Sequence, residues 1–326
     1  MTPPMQAPPS GRVAFIGAGH VGATAAYAMM LRALFREIVL VDSNAALAAA
    51  EAADLTDANA LARPARIWAG SYDDAATADI AVVTAGAASH GSETRLSLAS
   101  RSAVIVEDCV KHLADAGFAG VLVIASNPVD LMTMIAIRYA GLPRHRVIGT
   151  GTLLDTSRLK QSLSAALDLS AGAIDGYVLG EHGDSEVAAF STVRIGGQPL
   201  GDFIDTGSPL DLPALGEHVR DAGYRIVTGK GFTSFGVATA IVRICEAVVR
   251  DERSVLPVTA WIEHGYGMRD ICLSLPCIVG AGGTERVLFP ALDSDEEAAL
   301  RASAAKLTEA FATLDSDKGH QGSGIR

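Results

Sequence analysis

The chain has 326 residues, enough for two domains of ordinary size, and 49% of them are hydrophobic. That supplies a large buried core and excludes an intrinsically disordered chain. Lys and Arg number 26 against 37 Asp and Glu, a net charge of −11, which excludes nucleic acid as a partner class but leaves room for a small anion in a locally basic pocket.

The first feature in chain order is a run of nineteen positions, 13–31, with no formal charge: VAFIGAGHVGATAAYAMML. A signal peptide or a membrane span could have this composition. The preceding MTPPMQAPPSGR carries a single Arg where a signal peptide has a basic start. Glycines and His20 interrupt the run where a spanning helix needs Leu and Ile. No membrane association is expected. The run divides instead into a strand over 13–16, the turn Gly17-Ala18-Gly19-His20-Val21-Gly22, and an Ala/Leu/Met-rich helix over 24–35. In this setting each glycine of GxGxxG has a task. The first makes the tight turn, the second admits a pyrophosphate close to the backbone, and the third lets helix pack on strand. Unpaired N–H groups at the helix N-terminus then face the phosphates.

A second strand over 37–41 ends at Asp42, twenty residues beyond Gly22. A carboxylate there accepts both ribose hydroxyls and repels a 2′-phosphate, so NAD is expected rather than NADP. Strands follow over 65–69, 79–85, 120–126 and 146–150, separated by helices over 45–61, 97–116 and 130–139. This alternation predicts a doubly wound parallel sheet. Beyond residue 150 the rhythm changes. A helix over 152–167 precedes strands over 174–179, 192–195 and 270–279, with helices over 211–228, 234–250 and 294–314. The expected division is a dinucleotide-binding domain over 11–150 and an α+β substrate domain over 151–314. Residues 1–10 and 315–326 are expected to be flexible termini.

Four constellations carry candidate chemistry. Gly180-Glu181-His182-Gly183-Asp184-Ser185 offers a histidine, the side chain suited to proton exchange at neutral pH, although a surface-turn histidine has the same signature. Asp155 and Arg158 stand three apart on a helix and share a face. Asp155 can orient an imidazole and Arg158 can grip a carboxylate with two parallel bonds; as a helix cap and a solvated face they would be merely structural. Residues 85–95, AGAASHGSETR, follow the fourth strand at the carboxyl edge where such sheets bind ligands. Ala85 and Gly86 are candidate cofactor contacts, and a small-residue lid ending in Arg95 can close a cation over a substrate. Asn127, in Ser126-Asn127-Pro128-Val129-Asp130, can hold a ligand by its amide or organise the turn. The four cysteines, Cys109, Cys245, Cys272 and Cys277, have no metal-ligand spacing and read as reduced thiols of a cytoplasmic protein. No metal site is expected. GxSxG, P-loop and HExxH motifs are absent. One His, one Asp, two Arg and an NAD site suit hydride transfer between a nicotinamide and a 2-hydroxy acid.

In their order and spacing GAGHVG, LVD, TAGA…ETR, SNPVD, GTLLDTSRL and GEHGDS resemble the L-lactate/malate dehydrogenase family, most closely its lactate branch, over about residues 11–314. The resemblance implies an α/β fold with a Rossmann-type NAD-binding domain, and an NAD-dependent L-2-hydroxy-acid dehydrogenase. It implies that His182 is the acid/base with Asp155 as its partner. Arg158 becomes the carboxylate clamp, Arg95 the lid arginine that polarises the carbonyl, and Asn127 a contact to both cofactor and substrate. Val237 matches an apolar position against the nicotinamide. Thr233 matches a position that is typically Thr in lactate enzymes. The family is usually dimeric or tetrameric, so a homotetramer is expected.

Two positions depart from the family pattern. Ser89 stands where lactate enzymes usually have Gln and malate enzymes have Arg. Without an arginine a second substrate carboxylate lacks its partner, which favours pyruvate and L-lactate, while the shorter side chain leaves room for a larger or polar 2-oxo acid. Lys160 and Asp175 fall where many bacterial relatives bind fructose 1,6-bisphosphate with Arg and His. Asp175 would repel a phosphate, so no activation by that effector is expected. The alternatives are a malate or other 2-hydroxy-acid dehydrogenase and, outside enzymes, a non-catalytic dinucleotide sensor. A sensor would not require His182, Asp155, Arg158 and Arg95 together.

Overall fold

Strand β1 (Ser10–Ile16) lies inside a sheet because its second half, Val13–Ile16, is apolar on both faces. Ala14 and Ile16 join the apolar cluster on one side and Val13 and Phe15 the cluster on the other, the alternation that a strand imposes. The protein is described as a computed structural model over residues 10–62, 64–87, 95–204 and 210–321. Parallel to β1 run β2 (Phe35–Val41), β3 (Arg66–Ala69), β4 (Ile80–Val83), β5 (Val121–Ile124) and β6 (Val147–Gly149). Their spatial order is β3-β2-β1-β4-β5-β6. The order reverses between β1 and β4, and such a switch opens a crevice at the carboxyl ends of the two strands.

Helices cover both faces. On one side α1 (His20–Leu31), α2 (Ala45–Asn59) and α9 (Phe235–Val249) contribute Ala25, Met29, Leu55, Ile241 and Val248 to a buried cluster with Phe15 and Leu40. On the other, α4 (Arg95–Asp115), α5 (Val129–Tyr139) and α10 (Ser294–Gln321) contribute Val106, Leu113, Met132 and Leu300. The short α3 (Tyr72–Ala76) is held by a capping box between Ser71 and Asp74. Each large side chain taken fully out of water stabilises these layers by about 1.5–3 kcal/mol before conformational entropy is subtracted.

The parallel sheet continues into antiparallel strands. Next to β6 lie β10 (Ser254–Gly265), β11 (Met268–Gly280) and β12 (Gly283–Val287), completing nine strands among the described residues. β10 meets β6 only at Thr259 opposite Gly149. A Cβ on Gly149 would fall 2.4 Å from Thr133 Oγ1 and 2.7 Å from Thr259 Cβ, so this seam requires a glycine. The remaining elements are α6 (Leu153–Leu167), α7 (Leu212–Arg220), α8 (Ala222–Lys230) and a small antiparallel sheet of β7 (Ile174–Leu179), β8 (Val187–Ile195) and β9 (Gln198–Pro199). Of these, α6, α7, β7 and β8 close over a cluster of their own, which includes Leu159, Leu163, Val178, Val193 and Val219.

The α/β doubly wound architecture agrees with the expectation, and several boundaries differ. The helix expected over 24–35 spans His20–Leu31, because Ala33 turns left-handed (φ 49°) and releases Phe35 to start β2. The helix expected over 211–228 is divided at Asp221 into α7 and α8. The expected strands do not include β9, β10 or β12. Pro257 interrupts the β pattern of β10 and pairs opposite Pro276, away from the contact with β6 at Thr259. The strand expected over 270–279 therefore extends the first sheet rather than building a separate one. The last helix runs on to Gln321, past the expected end at 314, so residues 315–321 are helical. Among the described residues no helix is long and apolar enough to cross a membrane.

Candidate active site

The crevice edge is built by the β1–α1 turn. Gly17 has φ +110°, and a Cβ there would fall 2.6 Å from Ala85 N and 2.8 Å from Thr84 Oγ1. The turn is thereby pressed against the end of β4, where Thr84 Oγ1 donates to Gly17 O at 2.8 Å. Gly22 packs so closely that a Cβ would meet Gly17 O at 2.1 Å, whereas Gly19 has open space around its Cβ position. Among the described residues no side chain caps α1 at Gly19, and its first turn contains no acid. The turn thus presents backbone N–H groups at His20 and Val21 beside an opening, the arrangement that binds phosphate. Asp42 closes the far side. Its Oδ2 accepts from Ala18 N at 2.7 Å and its Oδ1 from Asn44 N at 2.8 Å, which fixes the carboxylate while leaving lone pairs for hydroxyl donors. These features fit an NAD-type dinucleotide. Ala85 and Gly86 follow β4 at the same edge, and Val21 and Val237 pack half-buried against the same apolar cluster.

The carboxyl ends of β6 and β7 bring the second group together. His182 Nδ1 donates to Asp155 Oδ2 at 2.6 Å, and Arg158 Nη1 donates to Asp155 Oδ1 at 2.8 Å. Asp155 is 2% exposed while the His182 side chain is 25% exposed, so the imidazole has a buried partner and an open side. Burial opposes ionisation of Asp155, but the His182 charge and hydrogen bond, followed by Arg158, hold its carboxyl below the usual range. Burial also opposes charge on His182; Asp155, aided by Asp130 and Glu186, outweighs it and lifts the imidazole to about 9.

Four elements hold the histidine loop. Thr156 Oγ1 on α6 accepts from Val178 N of β7, and Thr152 Oγ1 donates to Val178 O. Gly180 exchanges both backbone hydrogen bonds with Ser274 of β11. Glu181 N donates to Ser303 Oγ of α10 at 2.8 Å. His182 N donates to Asp130 Oδ2 at 2.7 Å, and Asp130 Oδ1 accepts from Thr259 Oγ1 at 2.6 Å. Asp130 is 1% exposed; burial pushes its carboxyl up to about 6 against those two hydrogen bonds.

Of the expected site residues, Asp155 contacts both Arg158 and His182, and Gly17, Gly19, His20, Val21, Gly22, Asp42, Ala85 and Gly86 line one edge. Asn127 is exposed just past β5. Thr233 is half-buried in the segment entering α9, which reaches the phosphate turn through a stack of Phe232 on His20, 3.9 Å between centroids. Arg95 is the first residue of α4, and Ser89 lies outside the described residues. Sequence reasoning missed Asp130, Thr259, Ser303, Phe232 and Glu186. Asp130 was in view as part of SNPVD, but its partner Thr259 lies on the strand that Pro257 concealed. One oxygen each of Asp155 and Glu186 and a ring nitrogen of His182 lie within 4.8 Å of one another, a spacing that a cation could bridge. Both Asp155 oxygens already accept from His182 and Arg158, and Arg158 would repel a further cation, so the trio suits a proton better than a metal.

Family models for the lactate/malate dehydrogenase NAD-binding domain and α/β C-terminal domain match residues 11–149 and 152–316. The L-lactate dehydrogenase of Treponema denticola is 42% identical over 309 residues, 93% of this chain and 98% of that protein. That of Acetivibrio thermocellus is 39% identical over 308 residues, 93% and 97% of the two chains. Among solved structures, the ligand-bound minor L-lactate dehydrogenase of Enterococcus mundtii superposes with a TM-score of 0.90 at 36% identity, covering 93% of this chain and 98% of that one.

Asp130→Ala leaves the Thr259 hydroxyl and the His182 N–H without their acceptor inside the protein. Urea unfolding should show a loss of about 2–4 kcal/mol. A loss within about 0.5 kcal/mol, the range of ordinary surface substitutions, would remove Asp130 from the support of the loop.

Proposed function

The chain belongs to the lactate/malate dehydrogenase family, and from that premise we propose that it interconverts pyruvate and L-lactate with NAD. The observation that carries this reading is the contact of His182, Asp155 and Arg158 beside a dinucleotide-binding edge. NADH, when bound, supplies the hydride that reaches the substrate's C2. His182 gives its Nε2 proton to the carbonyl oxygen, because Nδ1 is committed to Asp155. Asp155 fixes that tautomer and compensates the imidazolium charge. In the reverse direction the neutral ring takes the proton from the hydroxyl of L-lactate.

Arg158 clamps the substrate carboxylate through its planar fork. Arg95 polarises the carbonyl from the lid. Asn127 contacts cofactor and substrate, and Thr233 and Ser89 shape the pocket around C3. Ser89 in place of arginine favours a monocarboxylate over malate's second charge. His20, Val21, Gly17, Gly19 and Gly22 cradle the pyrophosphate, Asp42 takes the ribose, and Ala85, Gly86 and Val237 bound the remaining cofactor surface. The division into an NAD-binding domain over 11–150 and a substrate domain over 151–314 is supported by the family models, which meet between 149 and 152. A cytoplasmic location is supported by four buried, unbridged cysteines. A homotetramer is supported by family resemblance and by exposed apolar side chains on α1 and α9, among them Tyr27, Leu31 and Phe235. Lys160 lies 3.9 Å from Asp175, an ion pair that supports a protein without fructose 1,6-bisphosphate activation.

A steady-state panel of 2-oxo acids with NADH should place pyruvate first, and oxaloacetate turned over well above pyruvate would overturn that order. His182→Ala should lower pyruvate turnover about 100-fold or more with NADH binding nearly intact, and unchanged turnover would refute the assignment.

The pH dependence has a definite sign. The pKa of His182 is raised to about 9, so pyruvate reduction, which needs the imidazolium, should persist through neutrality and fall as pH rises through that value. L-Lactate oxidation, which needs the neutral ring, should rise over the same interval. An alkaline limb at the ordinary imidazole value near 6.5 would contradict the Asp155 coupling.

A further inference from the structure

Glu186 immediately precedes β8 and places a carboxyl group next to the catalytic pair that the reaction as described does not use. It is 6% exposed, and its Oε1 has no hydrogen-bond partner among the described residues. A buried carboxyl oxygen without a partner is costly, and its position is a specific one: an oxygen of Glu186 lies within 4.8 Å of both an oxygen of Asp155 and a ring nitrogen of His182. The charged groups facing it come from three directions. Asp155 and Arg158 project from α6, His182 from the loop after β7, and Arg220 from the end of α7. Arg220 Nε is likewise buried without a partner among the described residues. Asp130 of α5 and Glu181, which precedes His182, complete the charged surroundings of the loop.

Glu186 therefore differs from Asp155 in kind. Asp155 accepts from two cationic donors and stays ionised. Glu186 has burial and the nearby Asp155 charge against its ionisation, which push its carboxyl up to about 8, with His182, Arg220 and Arg158 pulling the other way. Near neutrality it is a neutral acid. As the medium becomes alkaline it gains a negative charge at the same place where the imidazolium is about to lose its proton. That charge favours the protonated ring.

Building on the reading of His182 as the proton donor, we propose that Glu186 is a positioning residue that holds the proton on His182 under alkaline conditions and so extends the range of pyruvate reduction. The device is electrostatic. It needs no hydrogen bond between the two side chains, only a carboxylate close to the ring in a site sheltered from water.

Glu186→Gln tests this directly, because an amide mimics the neutral acid and cannot ionise. At pH 6.5 the variant should reduce pyruvate nearly as well as the parent. Its alkaline limb in kcat/KM should move down by about one pH unit or more, the size expected for removing one charge at this range. Glu186→Asp keeps the charge on a shorter arm and should move the limb less. An unchanged limb in Glu186→Gln overturns the proposal, as does a uniform loss of activity at every pH, which would indicate packing alone. Should the Gln variant not fold, Glu186→Leu, which also lacks the charge, decides by the same criterion. The ionisation of His182 is also readable without turnover, from the pH dependence of its acylation by diethyl pyrocarbonate, located by peptide mass. The same downward shift is expected there. A parent that fails to reduce pyruvate would refute the functional reading, whereas an acylation profile identical in parent and variant would refute the role of Glu186.

Discussion

The 2.6 Å contact between His182 Nδ1 and Asp155 Oδ2 is the interaction on which the rest of the site depends. A carboxylate that is 2% exposed would ordinarily protonate or destabilise the fold. Asp155 stays ionised because each of its oxygens accepts from a different cationic side chain, Arg158 on its own helix and His182 on a loop from another element. In the proposed reaction the same pair determines the chemistry. With Nδ1 occupied, Nε2 is the nitrogen available for proton exchange, and the anion behind the ring keeps it charged well above neutral pH. Arg158 gains too, since a guanidinium tied at one nitrogen still presents donors in a fixed plane.

Holding that contact is a problem for the whole fold. Asp155 and Arg158 are a turn apart on α6, but His182 arrives from β7, and the loop carrying it is tied to α5, β11 and α10. Continuity of the sheet makes this possible. β10 and β11 extend the nucleotide-binding sheet past β6, so Thr259, Ser274 and Asp130 are set in one frame with the crevice between β1 and β4. The phosphate turn and the proton site are thus referred to the same strands, and the Phe232–His20 stack joins the entry to α9 to the turn itself.

Much of this was legible in the sequence where function and local structure share a short segment. GAGHVG states its turn, its helix and its ligand together, because glycines at those spacings serve one backbone geometry. Asp155 and Arg158 were legible because helix periodicity places them on one face. Joining His182 to them required the family resemblance; neither spacing nor composition relates residues twenty-seven apart through a strand. The supports were less visible. β10 contains Pro257, which argues against a strand except where pairing on one side is short, and with that strand went Thr259 as the partner of Asp130. Glu186 resembles an ordinary charge at a strand start until the fold buries it. Ser89, the departure from the family pattern on which the proposed substrate preference turns, lies outside the described residues.

In the proposed mechanism an ionised, buried Asp155 holds His182 in its working tautomer and charge. Asp155→Asn preserves shape while removing the charge and offering the ring the wrong partner. Pyruvate reduction at neutral pH should then fall by about 10²–10⁴ in kcat/KM, as in other His–carboxylate pairs, while the dissociation constant for NADH stays close to that of the parent. A variant retaining kcat/KM within about threefold would contradict the account, since RT ln 3 is less than 1 kcal/mol of transition-state stabilisation.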